Sequence, residues 1–325
     1  MKATAKAHAN IALIKYWGKR EAAENLPAVG SISLTLKELF TTTAVRFDPG
    51  ADRDTLVLNG TPADSAQTLR ISRFLDLVRK RTGLDSRAAV KSENNFPTGA
   101  GLASSASSFA ALALAATQAA GINLTLQELS ILARQGSGSA ARSVFGGFVE
   151  MKTAERSEDA FAFQIAEPDY WDLRLLVAVT SAEPKKTGST EGMNRTAATS
   201  PYYRQWVETG PADLQEMREA IRNRDFEKLG ELAEYSCLKM HGLALSARPG
   251  ILYWNGATVE VLQAVREWRR SGIPVYFTID AGPQVKAICP AGYAENLHKK
   301  LSGLPGVQQV RIASPGPAAH LVENQ

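Results

Sequence analysis

A strand-like stretch at Ala88–Ser92 runs straight into Asn95-Phe-Pro-Thr-Gly-Ala-Gly-Leu-Ala-Ser-Ser-Ala-Ser-Ser108. A strand, a glycine turn and an alanine-rich helix must therefore follow one another within about thirty residues. Gly99 and Gly101 let the backbone bend and approach a ligand closely. From Leu102 the Ala and Leu content predicts a helix reaching Ala120. The first N–H groups of such a helix lack internal partners, and the helix dipole adds positive potential there. Ser104, Ser105, Ser107 and Ser108 bring hydroxyls to the same end. This stretch alone fits two readings: a polyanion site, or a serine-capped helix packed through small residues.

At 325 residues the chain is long enough for two domains with separate cores. Its net charge of +4, with signs interspersed, suits a small anion better than nucleic acid. The basic clusters Arg79-Lys80-Arg81 and Arg269-Arg270 fall at predicted helix ends and read as solvated faces. No apolar run approaches the ~20 residues of a membrane span. Asn10 and Lys15 break the short apolar run near the N-terminus, so it does not read as a signal peptide. Cys237 and Cys289 lack metal or redox spacing and read as buried thiols, consistent with a cytoplasmic enzyme.

Strands are predicted over 4–14, 41–47, 55–58, 88–92, 144–151, 162–165 and 173–179, with helices over 66–81 and 127–134. A polar loop at 181–200 puts the domain boundary near its start, giving domains 1–180 and 181–325. Helices over 212–222, 226–240 and 258–270 then lead to strands near 275–279, 285–288 and 307–312. This irregular order predicts an α+β protein with two layers per domain.

Familiar nucleotide motifs are missing. The 95–108 loop has no lysine where a Walker A motif needs one. Gly136-Ser-Gly-Ser-Ala-Ala141 follows a predicted helix, which rules out a dinucleotide fingerprint. His8, His241, His298 and His320 form no triad or zinc pattern, and His241 reads as structural. Three other segments carry chemistry. Gly136–Gly147 combines Ser137 and Ser139 with Arg142, whose planar fork suits a carboxylate or phosphate, or pairs a structural carboxylate. Lys15-Tyr-Trp-Gly-Lys19 packs two ammonium groups and a phenol after a strand. Asp280, in Thr278-Ile-Asp-Ala-Gly-Pro283, is an isolated carboxylate or a turn residue. Together they suit phosphoryl transfer from a nucleotide to an anionic acceptor.

Pro97–Ala106 resembles the phosphate loop of the GHMP kinases. Ala9-Asn-Ile-Ala-Leu-Ile-Lys-Tyr-Trp-Gly-Lys19 is similar to the signature of the diphosphomevalonate decarboxylases within that superfamily, as are 136–143, Gly188-Ser-Thr-Glu-Gly-Met193 and 279–283. The resemblance runs from Lys6 to Pro317. It implies a two-domain GHMP kinase fold, with a ribosomal protein S5 domain 2-like N-terminal domain, a ferredoxin-like C-terminal domain and the active site in the cleft between them. It also implies ATP with Mg²⁺, mevalonate 5-diphosphate as substrate, and a homodimer without nucleic-acid or membrane partners.

By the same resemblance, Asp280 orients or deprotonates the 3-hydroxyl with Lys15 beside it, and Arg142 holds the carboxylate. Tyr16, Lys19, Ser137, Gly138 and Ser139 hold the diphosphate, while Ala12, Ser189 and Met193 line the substrate side. Gly99, Gly101, Ser104 and Ser105 face the ATP phosphates. Lys185 and Lys186 begin a loop over ATP; apart from the resemblance, Ser92 and Asn94 are adenosine-side candidates by their nearness in sequence to the phosphate loop. The metal ligands are not readable. Two departures stand out: Thr190 occupies a position where some bacterial members carry arginine, and the loop reads Thr-Gly-Ala-Gly instead of Thr-Ala-Ala-Gly. A phosphomevalonate decarboxylase, a mevalonate 3-kinase and a non-catalytic binding relative are the rival readings.

Overall fold

The computed structural model describes residues 2–96, 104–183 and 185–322. The first half runs β1 (Lys2–Ile14), β2 (Lys19–Glu21), β3 (Leu26–Pro27), β4 (Ser31–Asp48), β5 (Thr55–Leu58), β6 (Thr61–Pro62), α1 (Ser65–Thr82), β7 (Arg87–Asn94), α2 (Ser104–Ala119) and α3 (Leu126–Gly136). A 3₁₀ helix (Gly138–Val144), β8 (Phe148–Met151) and β9 (Ala162–Ala166) follow. The second half comprises β10 (Leu173–Val179), α4 (Ser189–Thr199), α5 (Tyr203–Asn223), α6 (Phe226–Leu245), α7 (Gly256–Arg270), β11 (Tyr276–Ile279), β12 (Val285–Pro290), α8 (Ala294–Ser302), β13 (Gln309–Ala313) and β14 (His320–Leu321).

The larger sheet has the order β14-β1-β4-β7-β5-β6, with β8 and then β9 joining along the far half of β4. The smaller sheet, β11-β12-β10-β13, places its strands in sequential order 2-3-1-4, the antiparallel pattern of a ferredoxin-like βαββαβ unit. Extra helices are inserted between its first two strands. The sheets divide between Ala166 and Leu173, one strand ahead of the 180/181 boundary expected from the polar loop, because β10 is an inner strand of the smaller sheet. The chain end returns to the first half, where β14 pairs with β1.

The alternation of β10 ties the halves together. Leu175 and Val177 pack into a core that also holds Ile11, Leu13, Ile32, Leu34 and Phe148 of the larger sheet. Leu176 and Ala178 face the opposite way, toward Val261, Val265, Leu297 and Leu301 of α7 and α8. One of the cores is therefore shared, in contrast to the separate cores expected from chain length. Under the larger sheet, Ala110, Ala111, Ala113 and Ala116 bring α2 close against Ala5, Ala7 and Val90.

Several local signals behave as expected. Asp64 and Gln67 form a capping box at the start of α1, and Gly83 ends it in the left-handed conformation. Others do not. The Arg79 expected on a solvated face is buried, ion-paired to Asp54 at 2.5 Å and to Asp76 at 2.7 Å. Arg269 likewise pairs with Glu234 at 2.6 Å. Helix α5 begins at Tyr203, ahead of the expected start, and runs through Pro211; in its first turn Trp206 donates its Nε1–H to the Trp17 carbonyl (2.9 Å). Both cysteines are buried and free. No described helix is long and apolar enough to cross a membrane.

Candidate active site

The end of β1, the start of α2, the 3₁₀ helix, the approach to α4 and the turn after β11 meet around one cavity of about 430 Å³. Lys15, Arg142 and Asp280 all line it. So do Ala12, Tyr16, Lys19 and Met193, the serines Ser137, Ser139 and Ser189, and Gly138. Residues from separate sequence segments are thus brought to one cleft between the two sheets.

Helix α6 fixes the two residues at its floor. Its Ser236 Oγ accepts the Lys15 backbone N–H (2.9 Å), and its Cys237 Sγ accepts the N–H of Ile279, next to Asp280 (3.1 Å). Lys15 is 1% exposed and donates to the Ala12 carbonyl (2.8 Å) and to Asp280 Oδ1 (2.7 Å). Lys286 Nζ approaches the other oxygen, Oδ2, at 3.3 Å. Burial alone would raise the Asp280 pKa. The ammonium groups of Lys15 and Lys286 outweigh it and hold the carboxyl well below the usual carboxylate range. Asp280 is therefore an anion and a weak base. Gln284 locks the turn that carries it, accepting the Thr180 N–H (2.6 Å) and donating to the Ser181 carbonyl (2.5 Å).

Arg142 is 2% exposed. Its guanidinium donates to Ser33 Oγ (2.9 Å), Ser31 Oγ (2.5 Å) and Asn10 Oδ1 (3.1 Å), all neutral acceptors. Among the described residues it forms no ion pair within 4 Å, so the alternative of a structural carboxylate partner is not what the fold provides. Burial lowers its pKa to about 10, with the negative charge of Asp280 acting against the shift, and it stays protonated near neutrality. A buried cation held by neutral groups is a ready receptor for an anion.

The rest of the wall matches this charge. Gly138 is needed where it stands: a Cβ there would lie 2.1 Å from the Tyr16 hydroxyl. Ser137 Oγ bonds Ser139 Oγ and Ser105 Oγ, each at 3.3 Å, joining the 3₁₀ segment to the start of α2. Lys19 Nζ reaches Thr190 Oγ1 at 3.4 Å, which is the position of the departure noted above.

A second, smaller cavity of about 160 Å³ adjoins the first through Ser105 and Arg70. Leu56, Ile71, Val90 and Leu112 give it apolar walls, and Ser92 and Asn94 lie at its edge. Ser104 and Ser105 face the larger cavity. Gly99 and Gly101 lie outside the described residues. Lys185, just ahead of α4, lines the main cavity. It donates to Ser189 Oγ (2.7 Å) and the Ala281 carbonyl (3.0 Å), within the main cavity. Burial lowers its pKa to about 8, partly offset by Asp280. Lys186 is exposed and lines neither cavity.

Among the described residues no three of His, Cys, Asp or Glu gather into a metal site. Magnesium in phosphoryl-transfer sites is held largely by phosphates and water, with few protein ligands. The hydroxyls of Ser104 and Ser105 therefore fit a metal that comes with ATP. Several residues at the site were not singled out from sequence, Arg70 and Lys286 among them. Arg70 borders both cavities and donates to the Gly136 carbonyl (3.2 Å), but in sequence it is one more cation on a helix. Lys286 had a weak signal, a lone charge in the apolar run Val285–Cys289.

Comparison with known proteins agrees with this geometry. Residues 7–162 match the diphosphomevalonate decarboxylase-like N-terminal domain, and 175–309 the mevalonate 5-diphosphate decarboxylase C-terminal domain. The mevalonate diphosphate decarboxylase from Enterococcus faecalis is 42% identical, with a TM-score of 0.93 over 100% of this chain and 99% of that one. A solved complex with MVAPP, AMPPCP and magnesium is also 42% identical, with a TM-score of 0.95 over the same shares. The phosphomevalonate decarboxylase of Haloferax volcanii is 34% identical over 100% of this chain and 99% of its own length. The chain belongs to the diphosphomevalonate decarboxylase family.

Proposed function

We propose that this chain converts mevalonate 5-diphosphate and ATP to isopentenyl diphosphate, ADP, phosphate and CO2. The observation that carries the reading is Arg142, a buried cation with neutral partners, lining the same cavity as the Lys15–Asp280 pair. The diphosphate lies against Tyr16, Lys19, Ser137, Gly138 and Ser139, with Ser189 and Met193 opposite. Asp280 orients the 3-hydroxyl, and Lys15 keeps that carboxylate fixed and charged. The hydroxyl oxygen takes the γ-phosphoryl group as the bond to ADP breaks, and its proton passes to water. The C3–O bond then breaks with phosphate as leaving group, while the C–C bond to the carboxylate supplies the electron pair of the new alkene. Arg142 holds the departing carboxylate and positions that C–C bond.

The α2 start binds the ATP phosphates with Ser104 and Ser105, which would also hold Mg²⁺. Bound there, the metal neutralises charge on the transferring phosphates. Ser92 and Asn94 take the adenosine end. The reading includes a cytoplasmic homodimer, with the assembly checked by light scattering.

A second reading, decarboxylation of the monophosphate, is favoured by Thr190 standing where some members carry arginine, and by the Haloferax relative. One experiment decides: purified protein with Mg-ATP and mevalonate bearing zero, one or two 5-phosphates, with CO2 and ADP measured together. CO2 and ADP in equal amounts from the diphosphate are expected. ADP without CO2 would make the protein a 3-kinase, and CO2 from the monophosphate alone would change the substrate. Asp280→Asn should lose most turnover while still binding ATP; near-normal turnover would remove Asp280 from the mechanism.

A further inference from the structure

Lys286 is completely buried on β12, in register with Thr278 of β11, and does not line the cavity. Its ammonium lies 3.3 Å from Asp280 Oδ2, and it also donates to the Gln284 carbonyl at 3.3 Å. Lys15 holds the other carboxylate oxygen at 2.7 Å. Lys15 donates a hydrogen bond to one oxygen and Lys286 stands at ion-pair distance from the other, so two ammonium groups flank one carboxylate and the charged forms together carry one positive charge. The arrangement is costly to bury, since a single lysine would neutralise Asp280. Simple charge balance does not explain the second.

We propose that Lys286 is a positioning residue for the reaction, acting through Asp280 to hold it as an oriented anion rather than a proton acceptor. This rests on the decarboxylase reading above. The groups facing Asp280 are Lys15 from β1, Lys286 from β12, Arg142 from the 3₁₀ helix, Lys185 before α4, and Cys237 and His241 from α6. Of these, Lys15 and Lys286 lower the Asp280 pKa against the opposing effect of burial.

The test is Lys286→Met, alone and in an Asp280→Asn background, with kcat and KM measured across pH. The single variant is expected to lose about tenfold or more in kcat, with KM for both substrates within about twofold. Its acid limb should move upward, because one of the two ammonium groups that lower the Asp280 pKa is gone. In the Asp280→Asn background the same change should cost less than about twofold, because the partner through which it acts is gone. A raised KM with normal kcat, an unmoved acid limb, or losses that multiply in the double variant would each overturn the proposal. If Lys286→Met does not fold, Lys286→Gln keeps a donor beside Asp280 without the charge. The same limb shift is then expected, and its absence counts against the proposal. Wild-type protein that releases no CO2 would instead remove the decarboxylase reading itself.

Discussion

Replacing Arg142 with methionine separates a functional cation from a structural one. In the folded protein the guanidinium has three neutral acceptors and is 2% exposed. Losing its hydrogen bonds leaves Ser31, Ser33 and Asn10 each short of a partner, at about 1–3 kcal/mol per group if none rearranges. Two of these are hydroxyls free to rotate toward other acceptors. Against that loss stands the several kcal/mol it costs to bury an unpaired cation. The two effects nearly cancel, so the unfolding free energy of Arg142→Met should stay within about 2 kcal/mol of wild type. Activity has no such compensation. Two charge-assisted hydrogen bonds to a carboxylate, at about 1.5–3 kcal/mol each, amount to about 10²–10⁴ in kcat/KM. The assay is CO2 release at saturating ATP, alongside guanidinium chloride unfolding followed by circular dichroism. A variant destabilised by more than about 3 kcal/mol whose folded fraction keeps normal kcat/KM would refute the reasoning and make Arg142 a core residue.

Gly138→Ala would set a Cβ 2.1 Å from the Tyr16 hydroxyl and displace that ring; KM for the diphosphate substrate should rise about tenfold or more with little change in melting temperature. An unchanged KM would remove Tyr16 from the diphosphate wall. Lys185 loses its charge as pH rises through about 8, so if its ammonium acts in the cavity, kcat/KM falls above that value and Lys185→Arg moves the alkaline limb upward; a limb that stays in place rules Lys185 out. Burial, reinforced by Lys15, holds the His241 ring down to about 3. Between that value and about 6.5 the unfolded chain binds the extra proton, so the contribution to stability is whole above that range and fades as pH falls. His241→Gln should flatten the fall of melting temperature over the same interval, and an unchanged slope would place the titration elsewhere.

How much of this was legible in the sequence differs from residue to residue. Lys15, Arg142 and Asp280 stood out through the family resemblance of the motifs around them; by residue chemistry alone the lysines of Lys15–Lys19 are a weak signal and Asp280 reads equally as a turn residue. Lys286 was hidden because its importance depends on pairing with β11, and the sequence of β12 does not say which strand lies beside it. Arg70 was hidden because a charged helix residue looks the same whether it faces solvent or a cleft. Helix α4 was missed in a stretch of Ser, Thr and Gly that reads as loop, although Glu191 in its first turn suits a helix start. Helix α8, with nine residues, offered too short a period to register. The place where the sheets divide was displaced by one strand because β10 reads like the strands before it, and its membership in the smaller sheet is decided by contacts with β12 and β13.

The shared core bears on how such a site works. Leu175 and Val177 of the second half pack with Ile11 and Leu34 of the first. The Lys15–Asp280 pair spans the same junction, one partner following β1 and the other following β11. A hinge that swung the halves apart would have to expose that apolar surface and split a largely buried ion pair, both costly. The cavity floor is therefore rigid, which suits a carboxylate that must orient a hydroxyl to within a fraction of an ångström. Adjustment to substrate falls instead to the rim, where Lys185 is held by one serine hydroxyl and one carbonyl and Lys19 by a single long contact to Thr190. The rim cations line the cavity where the diphosphate is proposed to lie, so their positive potential draws anions toward it.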